Sequence, residues 1–352
     1  MSVSVIGAGL AGCEAAVAIA NNGIKVRLYE MKPKEMSPAH KSRGFAELVC
    51  SNSLKASRID SSAGLLKWEM KTLGSVCVSV AEKCAVPAGG ALAVDRNIFS
   101  QMITDIVKSN SNIEVIEQRV SEIPEDDYVI FASGPLTDGK LAEEIEKLCG
   151  TDYLSFYDAA APIVTAGSVD LSKAFFASRY EKGDSDYINC PFNKAEYETF
   201  HEELVNAESA QLHEFDKGFS VYEGCMPIEV LAKRGLDAIR FGPMKPVGLC
   251  DPNTGHRPWA AVQLRKENSL ATMYNLVGFQ TNLKFLEQKR VFSMIPGLQN
   301  AEFLRYGVMH RNSFVNSPKL LNSDFSMRTN PIYILQDKSA ALKDIWSRRH
   351  LV

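Results

Sequence analysis

Cysteine is sparse in this chain. Eight are spread over 352 residues, too few for a disulfide scaffold, and no pair has the spacing of a zinc site. That usage points to a reducing, cytoplasmic setting and to no resident metal. Long apolar runs are missing too: nothing reaches the ~18 consecutive apolar residues of a membrane span, so no membrane association is expected. The opening stretch imitates a secretory leader, but it has no basic start and Glu14 interrupts it. Neither sign of charge dominates. A net charge of −3 excludes wholesale electrostatic capture of nucleic acid while leaving room for a local basic face. Internal repeats and low-complexity segments are also absent.

What is present is an ordinary globular composition, 45% hydrophobic and 23% charged, in a chain long enough for two cores. It opens as β-α-β. Val3 to Ile6 reads as a short buried strand, Ala11 to Asn22 as an alanine-rich helix ended by Gly23, and Lys25 to Tyr29 as a strand closing with Glu30. Between the first strand and the helix stand Gly7-Ala8-Gly9-Leu10-Ala11-Gly12. Gly7 serves a tight turn, Gly9 lets a pyrophosphate approach the backbone, and Gly12 lets the helix pack closely on the strand. The phosphate charge then meets free N–H groups at the helix N-terminus. Glu30 stands where a carboxylate accepts hydrogen bonds from an adenosine ribose. Strand, glycines, helix, strand and acid in this order predict dinucleotide binding.

A further apolar strand, Tyr128 to Phe131, follows Asp126 and Asp127 and breaks into Ala132-Ser133-Gly134-Pro135. In two-segment flavoproteins such a strand returns to the cofactor, so Ala132, Ser133 and Gly134 join the expected FAD contacts. An ordinary buried strand ending in a turn is the alternative. Pro87 to Arg96 reads either as another cofactor loop or as a turn into a helix starting near Asp95. Two cysteines stand apart. Cys50 lies in Glu47-Leu48-Val49-Cys50-Ser51-Asn52-Ser53 and Cys225 in Tyr222-Glu223-Gly224-Cys225-Met226-Pro227, both outside long apolar runs and both near a glutamate. Thiols in such settings beside a dinucleotide fold suggest thiolate chemistry. Cys13, Cys77, Cys84, Cys149, Cys190 and Cys250 read as structural.

Together these segments resemble the folate- and FAD-dependent tRNA (uracil-5-)-methyltransferases, the TrmFO family. Gly7 to Gly12, the two cysteine segments and Ala132 to Pro135 carry the likeness, with Arg240 to Leu249, Asn275 to Leu283, Tyr306 to Asn312 and Asn316 to Asn330. It is collinear from residue 1 to about Pro331 and then stops. The family continues with a strand, a second glycine-rich turn facing the flavin and a closing helix; here Ile332 to Leu335 passes into a charged tail. Weak flavin binding by a truncated or altered member is expected from that departure.

The resemblance implies transfer of a one-carbon unit from 5,10-methylenetetrahydrofolate to C5 of a T-loop uridine in tRNA, with FAD as cofactor and NAD(P)H as electron source. It implies Cys50 and Cys225 as the active-site pair. Uracil C5 is a poor nucleophile until a thiolate adds to C6. Cys225 is assigned that addition and Cys50 product release or proton transfer, the reverse assignment staying open. Glu223 is a candidate to position a proton. Alternatives are a ribosomal RNA uridine as target, an FAD-dependent oxidoreductase of small molecules, or an RNA-binding remnant without catalysis.

Charge is distributed unevenly. Residues 193–229 are strongly acidic, whereas 230–305 are basic, with Lys233, Arg240, Arg265, Lys284 and Arg290 interleaved with Trp259, Tyr274 and Phe285. Such a face suits phosphate contacts and stacking on a splayed base; a solvated surface is the plain alternative. The fold expected is α/β: a Rossmann-like FAD-binding domain with a doubly wound parallel sheet, residues 1–192 and 306–352. An inserted α+β substrate and RNA domain, 193–305, interrupts it.

Overall fold

The structure, a computed structural model, describes residues 1–37, 39–49, 51–149, 153–181, 185–210, 226–315 and 317–335; for 153–159, 181 and 310–315 it describes backbone alone. Five parallel strands form the first sheet, in the order Tyr333–Leu335, Tyr128–Phe131, Val3–Ile6, Val26–Glu30, Ile113–Glu117. The central strands are short apolar runs because both faces are covered. Val5, Leu28 and Ile130 enter one core with the helices Leu10–Asn21, Val76–Lys83 and Arg96–Ser109. Ile6, Val129 and Phe131 enter another with the helix Gly139–Cys149. Alternate residues of one strand thus serve opposite layers, which makes this the doubly wound α/β unit expected.

Asp95 accepts hydrogen bonds from the N–H groups of Asn97 and Ile98 and caps the helix Arg96–Ser109. The stretch before it is a strand, Ala91–Val94, paired on both sides with Ser53–Ala56 and Ala85–Val86.

The second unit is built on six antiparallel strands, in the order Phe175–Phe176, Tyr187–Phe192, Ala260–Lys266, Met273–Leu276, Ile163–Thr165, Phe303–Arg305. The helices Lys194–Asn206, Ile228–Ala232 and Phe285–Phe292 bury Phe200, Ile228 and Phe292 in its core. Asn193 and Glu196 close the first of these with reciprocal side-chain caps. The strand Tyr187–Phe192 pairs along its whole length with Ala260–Lys266, so a division at 192/193 would cut a hydrogen-bonded sheet. The second unit is drawn from near Ile163. Acidic composition marks where its helix begins, but its earlier strands carry no such mark. The strands Tyr153–Ala159 and Met309–Val315 pair antiparallel where the chain leaves and re-enters the first unit. The returning chain adds Tyr333–Leu335 to the parallel sheet; the tail from 336 lies outside the described residues.

Candidate functional site

The chain leaves its first strand at Gly7, whose φ of +99° suits glycine alone. A Cβ there would lie 2.6 Å from the Ala132 carbonyl oxygen, because the turn rests on the end of Tyr128–Phe131. At Gly12 a Cβ would lie 1.8 Å from the Gly7 carbonyl oxygen. Gly9 differs: a Cβ there would meet nothing nearer than Ala132 O at 4.0 Å. The helix Leu10–Asn21 starts at Gly9 with no side-chain cap and no acid in its first turn. Its N–H groups and the positive end of its dipole are left to whatever lies beyond.

What lies beyond is a cavity of about 570 Å³, the size of a small-molecule site. Gly7, Ala8, Gly9, Leu10, Ala11, Glu30, Ala132, Ser133 and Gly134 all border it. Gly12, expected among the cofactor contacts, does not border it; it is taken up by the approach of helix to turn. Glu30 accepts from the Ala8 N–H at 2.8 Å and the Lys32 N–H at 3.0 Å, which fixes its carboxylate while leaving lone pairs for a ligand. Gln118, Arg119 and Val120 also border the cavity, following Glu117, which is in register with Glu30. Arg119 is held by Glu35 and Asp138, each at 2.6 Å.

Several wall residues carry no local signal in the sequence. Ser37 Oγ lies 2.6 Å from His40 Nδ1, and burial, then the Lys32 charge, push His40 below its ordinary range. Lys32 donates to the Gly44 carbonyl at 2.5 Å and sits 3.9 Å from Glu47 Oε2. Lys32, Ser37, His40 and Glu47 all border the cavity, brought there only by the loop that follows the second strand.

Cys50, Cys225 and Glu223 lie outside the described residues. Their neighbours do not. Val49 and Ser51 both border the cavity. Arg96 donates to the carbonyls of Leu48 and Val49 and pairs with Glu267 at 2.6 Å. Arg265, from the second sheet, donates to Ser51 Oγ at 2.8 Å and Asn52 Oδ1 at 3.0 Å. Asn52, fully buried, donates in turn to the carbonyls of Val94 at 3.1 Å and Lys266 at 2.9 Å. Both flanks of position 50 are thereby fastened between the two units. Beyond position 225, the Ile228 N–H donates to the Gln280 carbonyl at 2.7 Å. The Glu229 carboxylate accepts from Thr281 Oγ1 and the Asn282 N–H, both at 2.8 Å.

Five of the remaining six cysteines behave as buried hydrophobes. Burial pushes Cys13 and Cys190 up to about 12 and Cys84 and Cys149 up to about 11; Cys77 is also raised, by burial and then by Glu14. Such thiols are inert near neutrality. Cys250, the sixth, is exposed.

The basic and aromatic residues of 230–305 do not share one surface. Tyr274 is in the second core and Arg265 in the junction between units, both buried. Lys284 pairs with Glu208, and Arg290 with Glu203 and Glu287. Phe285 and Phe241 are exposed, and the Arg240 guanidinium lies 3.9 Å from the Trp259 ring centre and 5.2 Å from that of Phe241. Among the described residues no helix is long and apolar enough to cross a membrane, and no three His, Cys, Asp or Glu side chains gather as a metal site.

Residues 2–334 match the family described as GIDA, Glucose inhibited division protein A. The methylenetetrahydrofolate--tRNA-(uracil-5-)-methyltransferase TrmFO of Acetivibrio thermocellus is 60% identical over 329 residues, covering 94% of this chain and 75% of that protein. The protein of the same name from Desulfitobacterium hafniense is 57% identical over 330 residues, with the same coverage. Among solved structures, Aquifex aeolicus GidA in two crystal forms superposes with TM-scores of 0.69 and 0.70 at 14% and 15% identity. These superpositions cover 96% of this chain and 59% and 62% of the GidA chains, a likeness of fold.

Proposed function

The chain belongs to the GIDA family and stands with its TrmFO relatives, and from that premise we propose that it is a methylenetetrahydrofolate–tRNA (uracil-5-)-methyltransferase. It carries a one-carbon unit from 5,10-methylenetetrahydrofolate to C5 of a uridine in tRNA. One observation carries this reading: the cavity over the glycine turn has both neighbours of Cys50 in its wall.

The residues present fit FAD. Gly9 offers open space beside uncapped N–H groups, which is what a pyrophosphate requires. Glu30 is fixed for ribose hydroxyls, and Ser133 and Gly134 border the same cavity. Bound there, FAD would supply the two-electron chemistry that takes the carbon unit to the methyl level, with NAD(P)H as the proposed electron source. The chain's own part is nucleophilic. A thiolate at Cys225 adds to uracil C6, which raises the electron density at C5; Cys50 assists product release or proton transfer. The uracil must leave its stack to reach the thiol. Arg96 and Arg265 hold the Cys50 segment from both sides, and the Glu229 contacts hold the chain that follows Cys225. The proposed setting is the cytoplasm.

The test is transfer of labelled carbon from methylenetetrahydrofolate into tRNA, with ribosomal RNA as the comparison, alongside the visible spectrum of the purified chain. Cys225→Ala is expected to abolish transfer and the covalent adduct with 5-fluorouridine RNA, and Cys50→Ala to keep the adduct. An adduct with Cys225→Ala but not with Cys50→Ala inverts the two roles. A chain that transfers no carbon and forms no adduct even with FAD supplied in excess overturns the proposal.

A further inference from the structure

The cavity wall also includes residues that lie outside the glycine turn. Among them are Ser51, Ser53, Leu54, Lys55, Lys67 and Met70. Lys67, on the helix Ser62–Thr72, lies under the strand Ser53–Ala56 and donates to the carbonyls of Leu54 at 2.7 Å and Ala63 at 2.8 Å. It is only 7% exposed, although lysine is among the residues least often buried. Burial, and then the charge of Lys55, hold Lys67 below the usual lysine range, so the two cations feel one another.

Lys55 is exposed, and its backbone sits in the left-handed region at φ +67°. That conformation is unfavourable for a residue with a Cβ and concentrates at functional sites. Ser53 Oγ helps to hold it by accepting the Lys55 N–H at 3.2 Å. The carboxylates that border the cavity have partners of their own, except that Glu47 Oε2 is buried without a hydrogen bond, 3.9 Å from Lys32 Nζ. Glu14 accepts from the N–H groups of Val76 and Cys77, Glu30 from Ala8 and Lys32, Glu47 from Lys41, and Asp138 from Arg119.

We propose that Lys55 and Lys67 form an anion subsite for the second, non-flavin ligand of this cavity, either a carboxylate of a folate glutamate tail or a phosphate of the nicotinamide cosubstrate. Lys55 makes the direct contact, and Lys67 supplies a fixed positive charge behind it. A mobile surface lysine alone adds little to binding; a second cation in a less polar setting strengthens the attraction. The identity of the two ligands rests on the TrmFO assignment above.

The test uses the full chain as Lys55→Gln and Lys67→Met, with flavin content and thermal stability measured first. Four ligands are titrated separately: tetrahydrofolate monoglutamate, its triglutamate, NADPH and NADH. Lys55→Gln is expected to weaken one anionic ligand about 3-fold, and Lys67→Met, which removes a charge acting through the less polar interior, about 10-fold, with flavin content unchanged. A loss that grows with glutamate number assigns the subsite to the folate tail; a loss confined to NADPH over NADH assigns it to a phosphate. Should Lys67→Met fail to fold, Lys55→Glu replaces it and is expected to weaken the same ligand more than Lys55→Gln does. A parent chain that binds tetrahydrofolate or nicotinamide, with unchanged affinities in the folded variants, overturns the subsite alone. A parent that holds flavin and binds none of the four overturns the TrmFO assignment together with it.

Discussion

Three glycines within one turn do three different things, and substitution separates them. Gly7 needs its positive φ. Gly12 needs the absence of a Cβ, because a methyl would overlap the Gly7 carbonyl. Gly12→Ala is therefore expected to cost about 3 kcal/mol in chemical denaturation, with or without flavin. Gly9 has an ordinary φ of −73° and open space around its missing Cβ, so the fold makes no demand for glycine there; the ligand does. Gly9→Val should leave the thermal midpoint of the flavin-free chain within about 3 °C of the parent while abolishing flavin retention. Stoichiometric flavin in that variant would move the cofactor off this turn.

Among the elements, the short segment Ser51–Asn52 joins both units. Asn52 satisfies two carbonyls and one guanidinium N–H from two strands, Ala91–Val94 of the first unit and Ala260–Lys266 of the second. Asn52→Ala leaves all three buried groups unpaired, for an expected loss of about 3 kcal/mol or more. The helix Ile228–Ala232 offers a pH test. Glu229 is 1% exposed, and burial raises its pKa above the ordinary 4.5 despite its hydrogen bonds. The folded chain then holds that proton more tightly than the unfolded chain does. This contribution to stability is fully present below pH 4.5 and is lost as pH rises through the raised value. Glu229→Gln cannot ionise, so its urea midpoint between about pH 4 and 8 should fall less with rising pH than the parent's. Identical slopes would show that Glu229 does not titrate in that window.

At the scale of the molecule, two sheets of different kind meet through a small set of polar contacts. Arg96 with Glu267, Arg265 with Asn52, Asp95 with Ser269, and Gly89 with Asp186 tie the parallel unit to the antiparallel one. Arg265 is 8% exposed and reaches the cavity wall by way of Ser51. Arg265→Ala should lower the thermal midpoint by roughly 4 °C and leave flavin content intact. Carbon transfer should fall at least ~10-fold, because the Cys50 segment loses its hold from the second unit. Flavin loss in step with activity would mean that the junction supports the whole cavity rather than that segment.

The parallel unit was legible because its signals are local. A glycine turn, an apolar strand and an acid at fixed spacing report on backbone geometry that each residue satisfies almost alone, and Val3–Ile6, Glu30 and the Ser133–Gly134 turn stand where those signals put them. Family membership was legible for the same reason, carried by short motifs in collinear order. The start of the second unit was not. The strands Ile163–Thr165 and Tyr187–Phe192 find their partners at Met273–Leu276 and Ala260–Lys266, and pairing over such separations leaves no mark in either segment. The expected RNA face was legible only in part on similar grounds: alternation of basic and aromatic residues cannot say which side chains a sheet will bury, and Tyr274 and Arg265 went inside while Lys284 and Phe285 stayed exposed. Composition and motif therefore determined what kind of site this chain carries. The walls of that site, from Lys32 and His40 to Lys55 and Lys67, were decided only by tertiary packing, because a cavity is the space that distant segments leave between them.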